Sequence, residues 1–156
     1  MADAREESEA SVAGSSPIGG MTLYPVPESV ARARRWFRKF TAPYNLACSI
    51  DDCVLMLSEL VTNAILYGEA EESWRVRVEW SRLGEALRVD VHNPGFPAEV
   101  RLRSPNASDA HGRGLCLVDE LADSWAAGPS RFGGTVVWFQ IEEAWKPRGR
   151  SKSVGE

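Results

Sequence analysis

The sequence predicts an α+β domain of two layers, in which helices cover one face of a mixed, mostly antiparallel sheet. Apolar residues recur at helical spacing in three segments, and strict apolar–polar alternation marks two consecutive segments as strands. The 156 residues suffice for one domain with tails. We expect a disordered leader at residues 1–20, a folded domain at 21–145 and a flexible tail at 146–156.

The first half of the domain is predicted to contain a short strand and two helices. The strand covers residues 21–24 and is stopped by Pro25, and the first helix starts at Pro27. The second helix starts after an N-cap at Ser49 and ends near Gly68. Its apolar positions keep a period of 3.6 residues and are Ile50, Val54, Leu57, Val61 and Ile65.

The second half is predicted to hold two hairpins separated by a loop and a helix. Residues 74–80 and 87–92 alternate as strands, and a last pair of strands is expected at 124–127 and 135–141. Six prolines and glycines interrupt the segment from Pro94 to Gly114, which we expect to be a long functional loop, a lid. An amphipathic helix then runs from Leu115, with Trp125 on its apolar stripe.

Composition restricts the possible functions. A net charge of −4 gives no support to direct nucleic-acid binding. We find neither a secretory signal nor a membrane-spanning stretch, so we expect a cytoplasmic protein. Cys48, Cys53 and Cys116 show no Cys-x-x-Cys spacing and are expected to be reduced, mostly buried thiols. Two histidines offer little for a zinc site.

The first helix carries a strongly basic surface. Its apolar stripe is surrounded by cations, which are Arg32, Arg34, Arg35, Arg38 and Lys39. Such a surface is either a solvated helix face or a contact surface for an acidic protein partner.

The second helix contains the first candidate for chemistry. Glu59 and Asn63 lie four residues apart, so their side chains share one helix face. A carboxylate can position or deprotonate a nucleophile, and an amide oxygen is a hard ligand for magnesium. An exposed polar helix edge would give the same pattern.

Three further motifs follow in order. Asn93-Pro94-Gly95 ends a predicted strand, and Gly112-Arg113-Gly114-Leu115 lies directly before a predicted helix. Glycines there would let backbone N–H groups and the helix N-terminus approach phosphates. Gly134-Thr135 enters the last strand. Each motif alone is compatible with an ordinary turn.

Together these motifs resemble the GHKL ATPase superfamily, which has the Bergerat fold. The run from Glu59 to Ala64 is similar to its N box, Asn93-Pro94-Gly95 to its first glycine box, and Gly112-Arg113-Gly114-Leu115 to its second. The Ser-Glu-Leu-Val-Thr-Asn-Ala run and the Gly-Gly-Thr-Val-Val-Trp-Phe ending look like the anti-sigma-factor kinase branch, typical of actinobacteria.

The resemblance implies ATP and Mg²⁺ as cofactors and assigns roles to individual residues. Asn63 would hold the Mg²⁺ that bridges the ATP phosphates, and Glu59 would act as general base. Arg113 would meet the phosphate charge. The other residues implied in nucleotide binding are Asn93, Gly95, Gly112, Gly114, Leu115 and Thr135, with Thr135 bonding near the adenine.

Asn93 departs from the family pattern, which has an adenine-reading aspartate there. Asp90 is not expected to replace it, because a shift of three residues along a strand reverses the face. An asparagine can accept the adenine amino hydrogen through its amide oxygen, but a flipped amide would donate to guanine instead. We therefore expect reduced discrimination of ATP from GTP, restored by Asn93→Asp.

Three functional hypotheses remain. The first is a kinase that sequesters a sigma factor and phosphorylates a serine on an anti-anti-sigma (STAS-type) partner. The second is a nucleotide-gated binding protein without catalytic turnover, and the third a helix–sheet domain that binds no nucleotide. The resemblance also implies a possible homodimer, with no direct nucleic-acid or membrane partner.

Overall fold

The computed structural model describes residues 14–67, 74–93 and 110–147, with the side chains of Tyr67 and of residues 110–114 excepted. Five strands and three helices form the described part of the chain. In chain order they are β1 (Ser15–Leu23), α1 (Glu28–Thr41), α2 (Ile50–Tyr67), β2 (Val76–Leu83), β3 (Ala86–Asn93), α3 (Ala110–Leu121), β4 (Ser124–Pro129) and β5 (Thr135–Ile141).

The strands form one sheet in the order β1-β2-β3-β5-β4. All four pairings of neighbouring strands are antiparallel, so the described sheet is antiparallel rather than mixed. The predicted α+β class with helices and a sheet is confirmed.

Alternation along the strands separates an apolar face from a polar one. In β2, Val76, Val78 and Trp80 are buried, whereas Arg77 is exposed. Because successive side chains point to opposite faces, the apolar set of β2 and β3 lies under the helices. The edge of the Phe37 ring from α1 meets Trp80 with ring centroids 5.2 Å apart. The core therefore lies between one sheet face and the helices, as the sequence pattern predicts.

The start of α2 confirms the predicted cap. The backbone N–H of Asp52 donates to Ser49 Oγ at 3.1 Å, which satisfies one of the N–H groups that a helix leaves unpaired at its first turn. Arg38 of α1 forms an ion pair with Asp51 at 2.7 Å, and Arg34 donates to Ser58 Oγ at 3.3 Å. These contacts join α1 to the helix that carries Glu59 and Asn63.

The predicted disordered leader is wrong for residues 15–20, which belong to β1. Serine and glycine content favoured disorder, but two glycines here allow close packing. A Cβ added at Gly19 would lie 2.9 Å from the Trp80 ring, and one at Gly20 would lie 3.0 Å from the Val78 carbonyl oxygen. The strand therefore approaches β2 at a distance that side chains would prevent.

Two boundaries in the second half also differ from the prediction. Helix α3 begins at Ala110 and so includes Gly112 and Gly114, which were expected to precede it. Each glycine costs about 1 kcal/mol in a helix interior, and the burial of Leu115 and Val118 in the core favours the helix nevertheless. Trp125, assigned to the helix stripe, lies in β4.

None of the helices within the described residues is long and apolar enough to cross a membrane.

Candidate nucleotide site

A small cavity lies between α2, α3 and the adjacent ends of β3 and β5. Its lining residues are Leu60, Asn63, Ala64, Val91, Asn93, Leu115, Thr135 and Val137. The structure therefore brings together four of the residues that the sequence singled out, from four separate elements: Asn63, Asn93, Leu115 and Thr135.

The strand register places two of the polar groups side by side. Asn93 is the last residue of β3 and pairs directly with Thr135, the first residue of β5. Gly134, just before it, has a φ of 75°, a left-handed conformation that glycine adopts without strain. This turn lets β5 begin at Thr135, opposite Asn93.

The three polar side chains of the cavity are buried. Asn63, Asn93 and Thr135 retain 7%, 3% and 1% of their exposure. Buried polar groups are normally hydrogen-bonded, since an unpaired one costs about 1–3 kcal/mol. A cluster of such groups on an otherwise apolar cavity is typical of sites that orient a ligand.

The orientation of the Asn93 amide follows from a backbone contact. Its Nδ2 donates to the Ala64 carbonyl oxygen of α2 at 3.1 Å. A flipped amide would put Oδ1 against that carbonyl, where two acceptors repel each other. The contact therefore disfavours the flipped amide on which the expectation of weak ATP–GTP discrimination depends.

Among the described residues, every side chain that lines the cavity is neutral. Leu60, Val91, Leu115 and Val137 form its apolar walls. Apolar walls with a few amide and hydroxyl groups suit a flat heteroaromatic ring. The volume enclosed by the described residues is about 10 Å³, room for about one water molecule. This volume is too small for a nucleotide base, so a bound base would require these side chains to move apart.

Glu59 lies outside the lining of this cavity. It is half-buried on α2, one helical turn before Asn63. The two side chains share a helix face, as the spacing predicts. The structure thus places the carboxylate near the cavity but does not bring it to the cavity wall.

The glycine boxes are only partly described. Residues 94–109 of the predicted lid, which include Gly95, lie outside the described residues, and its last part, residues 110–114, belongs to α3 instead of a loop. Gly112, Arg113 and Gly114 lie in the first turns of α3, where only the backbone is described. Leu115, the last residue of the second box, is buried and lines the cavity.

The donor set is compatible with magnesium. Mg²⁺ commonly takes one or two protein ligands and completes its shell with water and substrate phosphates. Asn63 offers an amide oxygen of this type beside the cavity. In the described part of the chain, no group of three or more His, Cys, Asp or Glu side chains is placed to hold a metal ion. Asn63 fits a metal held jointly with a phosphate ligand better than a metal held by protein alone.

The opposite face of the sheet carries a charged cluster around Glu79. Arg131 contacts Glu79 at 2.8 Å, Arg77 contacts it at 2.9 Å, and His92 Nε2 lies 3.5 Å away, at the outer limit of a hydrogen bond. Burial raises the pKa of Glu79, but the contacts to His92, Arg77 and Arg131 outweigh burial and lower it from 4.5 to about 2. This carboxylate is ionised and already paired.

Two contacts around α2 were not foreseen from the sequence. The Ala64 carbonyl that holds Asn93 is a backbone group, and every residue has one, so no residue type signals it. The thiols of Cys48 and Cys53 also meet, with their sulfur atoms 3.9 Å apart. Their positions around the Ser49 cap were a signal that could have predicted this contact.

Comparison with known families agrees with the geometry. The family model of the histidine kinase-like ATPase domain matches residues 23–141, which include the whole cavity. The chain belongs to the histidine kinase-like ATPase family. Membership implies that the domain binds ATP. A search of curated proteins finds no match to this chain.

Proposed function

We propose that the protein is a cytoplasmic anti-sigma factor that phosphorylates a serine or threonine of an anti-anti-sigma partner of the STAS type with ATP. The observation that carries the nucleotide part is the convergence of Asn63, Asn93, Leu115 and Thr135 on one cavity in a chain of the histidine kinase-like ATPase family. The kinase role is supported by the resemblance of the segment around Glu59 to the anti-sigma-factor kinase branch.

In the proposed reaction the partner's hydroxyl oxygen attacks the γ-phosphorus of ATP, and the bond to the β–γ bridging oxygen breaks, so that ADP leaves. Glu59 accepts the hydroxyl proton. Asn63 would hold a Mg²⁺ ion, which would compensate the phosphate charge. The described residues contribute no charged side chain to the cavity lining, so the negative charge in the occupied site would be that of the phosphates.

ATP rather than GTP is the proposed nucleotide. With Nδ2 of Asn93 held by the Ala64 carbonyl, Oδ1 is the atom that would accept from the adenine amino group. The guanine carbonyl would meet that oxygen as a second acceptor. One mismatched buried pair costs about 1–3 kcal/mol, which corresponds to about a 5- to 150-fold preference for ATP.

The proposed partner surface is the outer face of α1. Arg32, Arg35, Arg38, Lys39 and Trp36 line a groove there. Trp36 stacks on Phe40 with centroids 5.1 Å apart, and Lys39 lies over the Trp36 ring at 5.2 Å. Cations around an aromatic pair suit an acidic segment with an apolar anchor.

The surface charges of α1 divide into two groups. Arg34 and Arg38 are engaged with Ser58 and Asp51 of α2, so reversing their charge would also disturb packing. Arg32 and Arg35 are exposed and line the groove. Reversal of these two to Glu should weaken capture of a candidate sigma factor by about 10-fold or more. The control compares the single reversal Arg35→Glu with Lys146→Glu, an equal charge change at an exposed position elsewhere, and equal loss in these two variants would refute this surface.

Phosphotransfer tests the catalytic part. The purified protein would be incubated with radiolabelled Mg-ATP and candidate STAS-type proteins, alone and as Glu59→Ala. We expect label on a partner hydroxyl, reduced by about 100-fold or more in the variant while ATP binding persists. Glu120→Ala, at an exposed position of α3, is the matched control. Transfer that is unaffected by Glu59→Ala would exclude the general-base role.

A non-catalytic role is the second candidate, and one observation favours it. Glu59 does not line the cavity that the described residues form. Under this account, partner capture would depend on ATP, but no label would move to any partner. Nucleotide-dependent capture without transfer, identical in the Glu59→Ala variant, would favour it over the kinase.

A further inference from the structure

Cys48 and Cys53 are brought together by the N-terminal cap of α2. Ser49 is the cap residue. Its Oγ accepts a hydrogen bond from the Asp52 N–H and its carbonyl oxygen accepts one from the Cys53 N–H, each at 3.1 Å. Cys48 therefore precedes the cap, and Cys53 is the fourth residue of the helix. In the hydrophobic staple, side chains at these two positions pack against each other. Here both are thiols, and their sulfur atoms lie 3.9 Å apart.

The two thiols have unequal surroundings. Cys48 is half-buried, whereas Cys53 retains 1% of its exposure. The hydrogen bond from Cys53 lowers the pKa of Cys48 from 9.0 to about 7. The pKa of Cys53 is raised, first by its hydrogen bond with Cys48 and then by its burial. Near pH 7 the partly exposed Cys48 is therefore ionised in a substantial fraction of molecules, and the thiol of Cys53 beside it stays protonated.

We propose that Cys48 and Cys53 are a reactive dithiol, which a hydroperoxide oxidises to a disulfide that fastens the N-terminus of α2. Cys48 is the attacking residue and Cys53 is the resolving residue. This inference does not depend on the proposed kinase function, because Cys53 lies ten residues from Asn63 on α2, about 15 Å along the helix.

The reaction balances with hydrogen peroxide as oxidant. The Cys48 thiolate attacks one peroxide oxygen, the O–O bond breaks, and the other oxygen leaves as water after taking up a proton. Cys53 then loses its proton as its sulfur attacks the Cys48 sulfur, and the sulfenic oxygen leaves as the second water. The two cysteines lose two electrons, and the peroxide gains them.

The geometry requires only a short movement. A disulfide has its sulfur atoms about 2.05 Å apart, so the sulfurs must approach from 3.9 Å. Cys48 lies in the connection between α1 and α2, outside both helices. Cys116 provides the contrast, since it is an exposed thiol on α3.

The test is oxidation of the reduced protein with equimolar hydrogen peroxide, followed by intact mass and peptide mapping without reductant. We expect loss of two hydrogens, a peptide linkage between Cys48 and Cys53, and reversal by dithiothreitol. The rate should rise with pH through about 7, where Cys48 ionises. Cys116 should react more than about 10-fold more slowly.

Variants separate the two roles. Cys53→Ser should stop the reaction at a Cys48 sulfenic acid, which dimedone would label, and Cys48→Ser should leave Cys53 unreactive on the same timescale. Cys116→Ser should behave like the unaltered protein. A disulfide between two copies of the chain, or oxidation of Cys116 as fast as Cys48, would overturn the proposal.

Discussion

His92 and Asn93 are neighbours on β3, but their side chains lie on opposite faces of the sheet and have different neighbours. Asn93 points toward the helices and joins a cavity to which the described residues contribute only neutral side chains. His92 points to the other face and joins Glu79, Arg77 and Arg131, with Ser130 Oγ 2.7 Å from its Nδ1. Both residues are buried. A single step along the strand separates a neutral cluster from a charged one.

The difference indicates how each cluster should respond to substitution. The charges around Glu79 already compensate one another, so their main effect is on stability and its pH dependence. The groups of the cavity are neutral amides and a hydroxyl, which exchange hydrogen-bond partners without leaving a buried charge. Changes on the charged face should therefore alter folding and spare nucleotide binding, and changes in the cavity should affect binding.

The largest effect on stability is expected for Glu79→Gln. The pKa of Glu79 falls from 4.5 to about 2 on folding, so its carboxylate stabilises the fold above about pH 4.5. The variant should lose up to about 3 kcal/mol of unfolding free energy at pH 7. The difference should shrink as pH falls from about 4.5 toward 2 and the carboxylate is protonated. Urea denaturation over this range would measure it.

Asp90 changes the pH dependence of the unfolding free energy in the direction opposite to Glu79. Burial raises the pKa of Asp90 in spite of Arg88, so acidification favours the fold at this residue and partly offsets the loss of stability at Glu79.

The matched control for Glu79→Gln is Glu85→Gln, because Glu85 pairs with Arg82 at an exposed position. A Glu79→Gln variant as stable as the control at pH 7 would show that the charged cluster does not stabilise the fold.

A smaller loss is expected for Asn93→Asp. An aspartate cannot donate to the Ala64 carbonyl, and its oxygen would replace the donor at 3.1 Å. We expect a loss of about 1–3 kcal/mol in unfolding free energy and no gain in the preference for ATP over GTP. Asn45→Asp, at an exposed position, is the control. Higher stability together with a sharper preference for ATP would restore the expectation drawn from the sequence.

The smallest effect is expected for Arg131→Ala. Arg131 contacts Glu79 from an exposed position, with 45% of its side chain accessible. An exposed ion pair contributes about 0–1 kcal/mol, and salt weakens it further. Denaturation at low and high salt would measure the loss of unfolding free energy. A loss well above that of Asn93→Asp would contradict the proposed ranking of the three substitutions.

The sequence predicted the order and type of the elements because their signals are local. Strict alternation identified β2 and β3, and the Ser49 cap marked the start of α2. The convergence of Asn63, Asn93, Leu115 and Thr135 was implied by the family resemblance, since no local pattern shows which strand ends meet.

What the sequence did not predict depends on partners distant in the chain. Residues 15–20 look like a linker until Gly19 meets Trp80 across the sheet. The first turns of α3 contain two glycines, and the buried residues Leu115 and Val118 offset their cost. The sequence alone leaves the side-chain amide of Asn93 with two possible orientations. The carbonyl of Ala64, 29 residues away, favours one of them.

The most direct test of the account is calorimetric titration of Mg-ATP into the unaltered protein and into Asn63→Ala, with Asn45→Ala as control. If the neutral cavity is the nucleotide site, ATP binds in a magnesium-dependent manner. Affinity then falls by more than about 100-fold in Asn63→Ala, as expected for loss of a metal ligand, and stays unchanged in the control. Equal ATP affinity in all three proteins, or none in the unaltered one, would contradict the account.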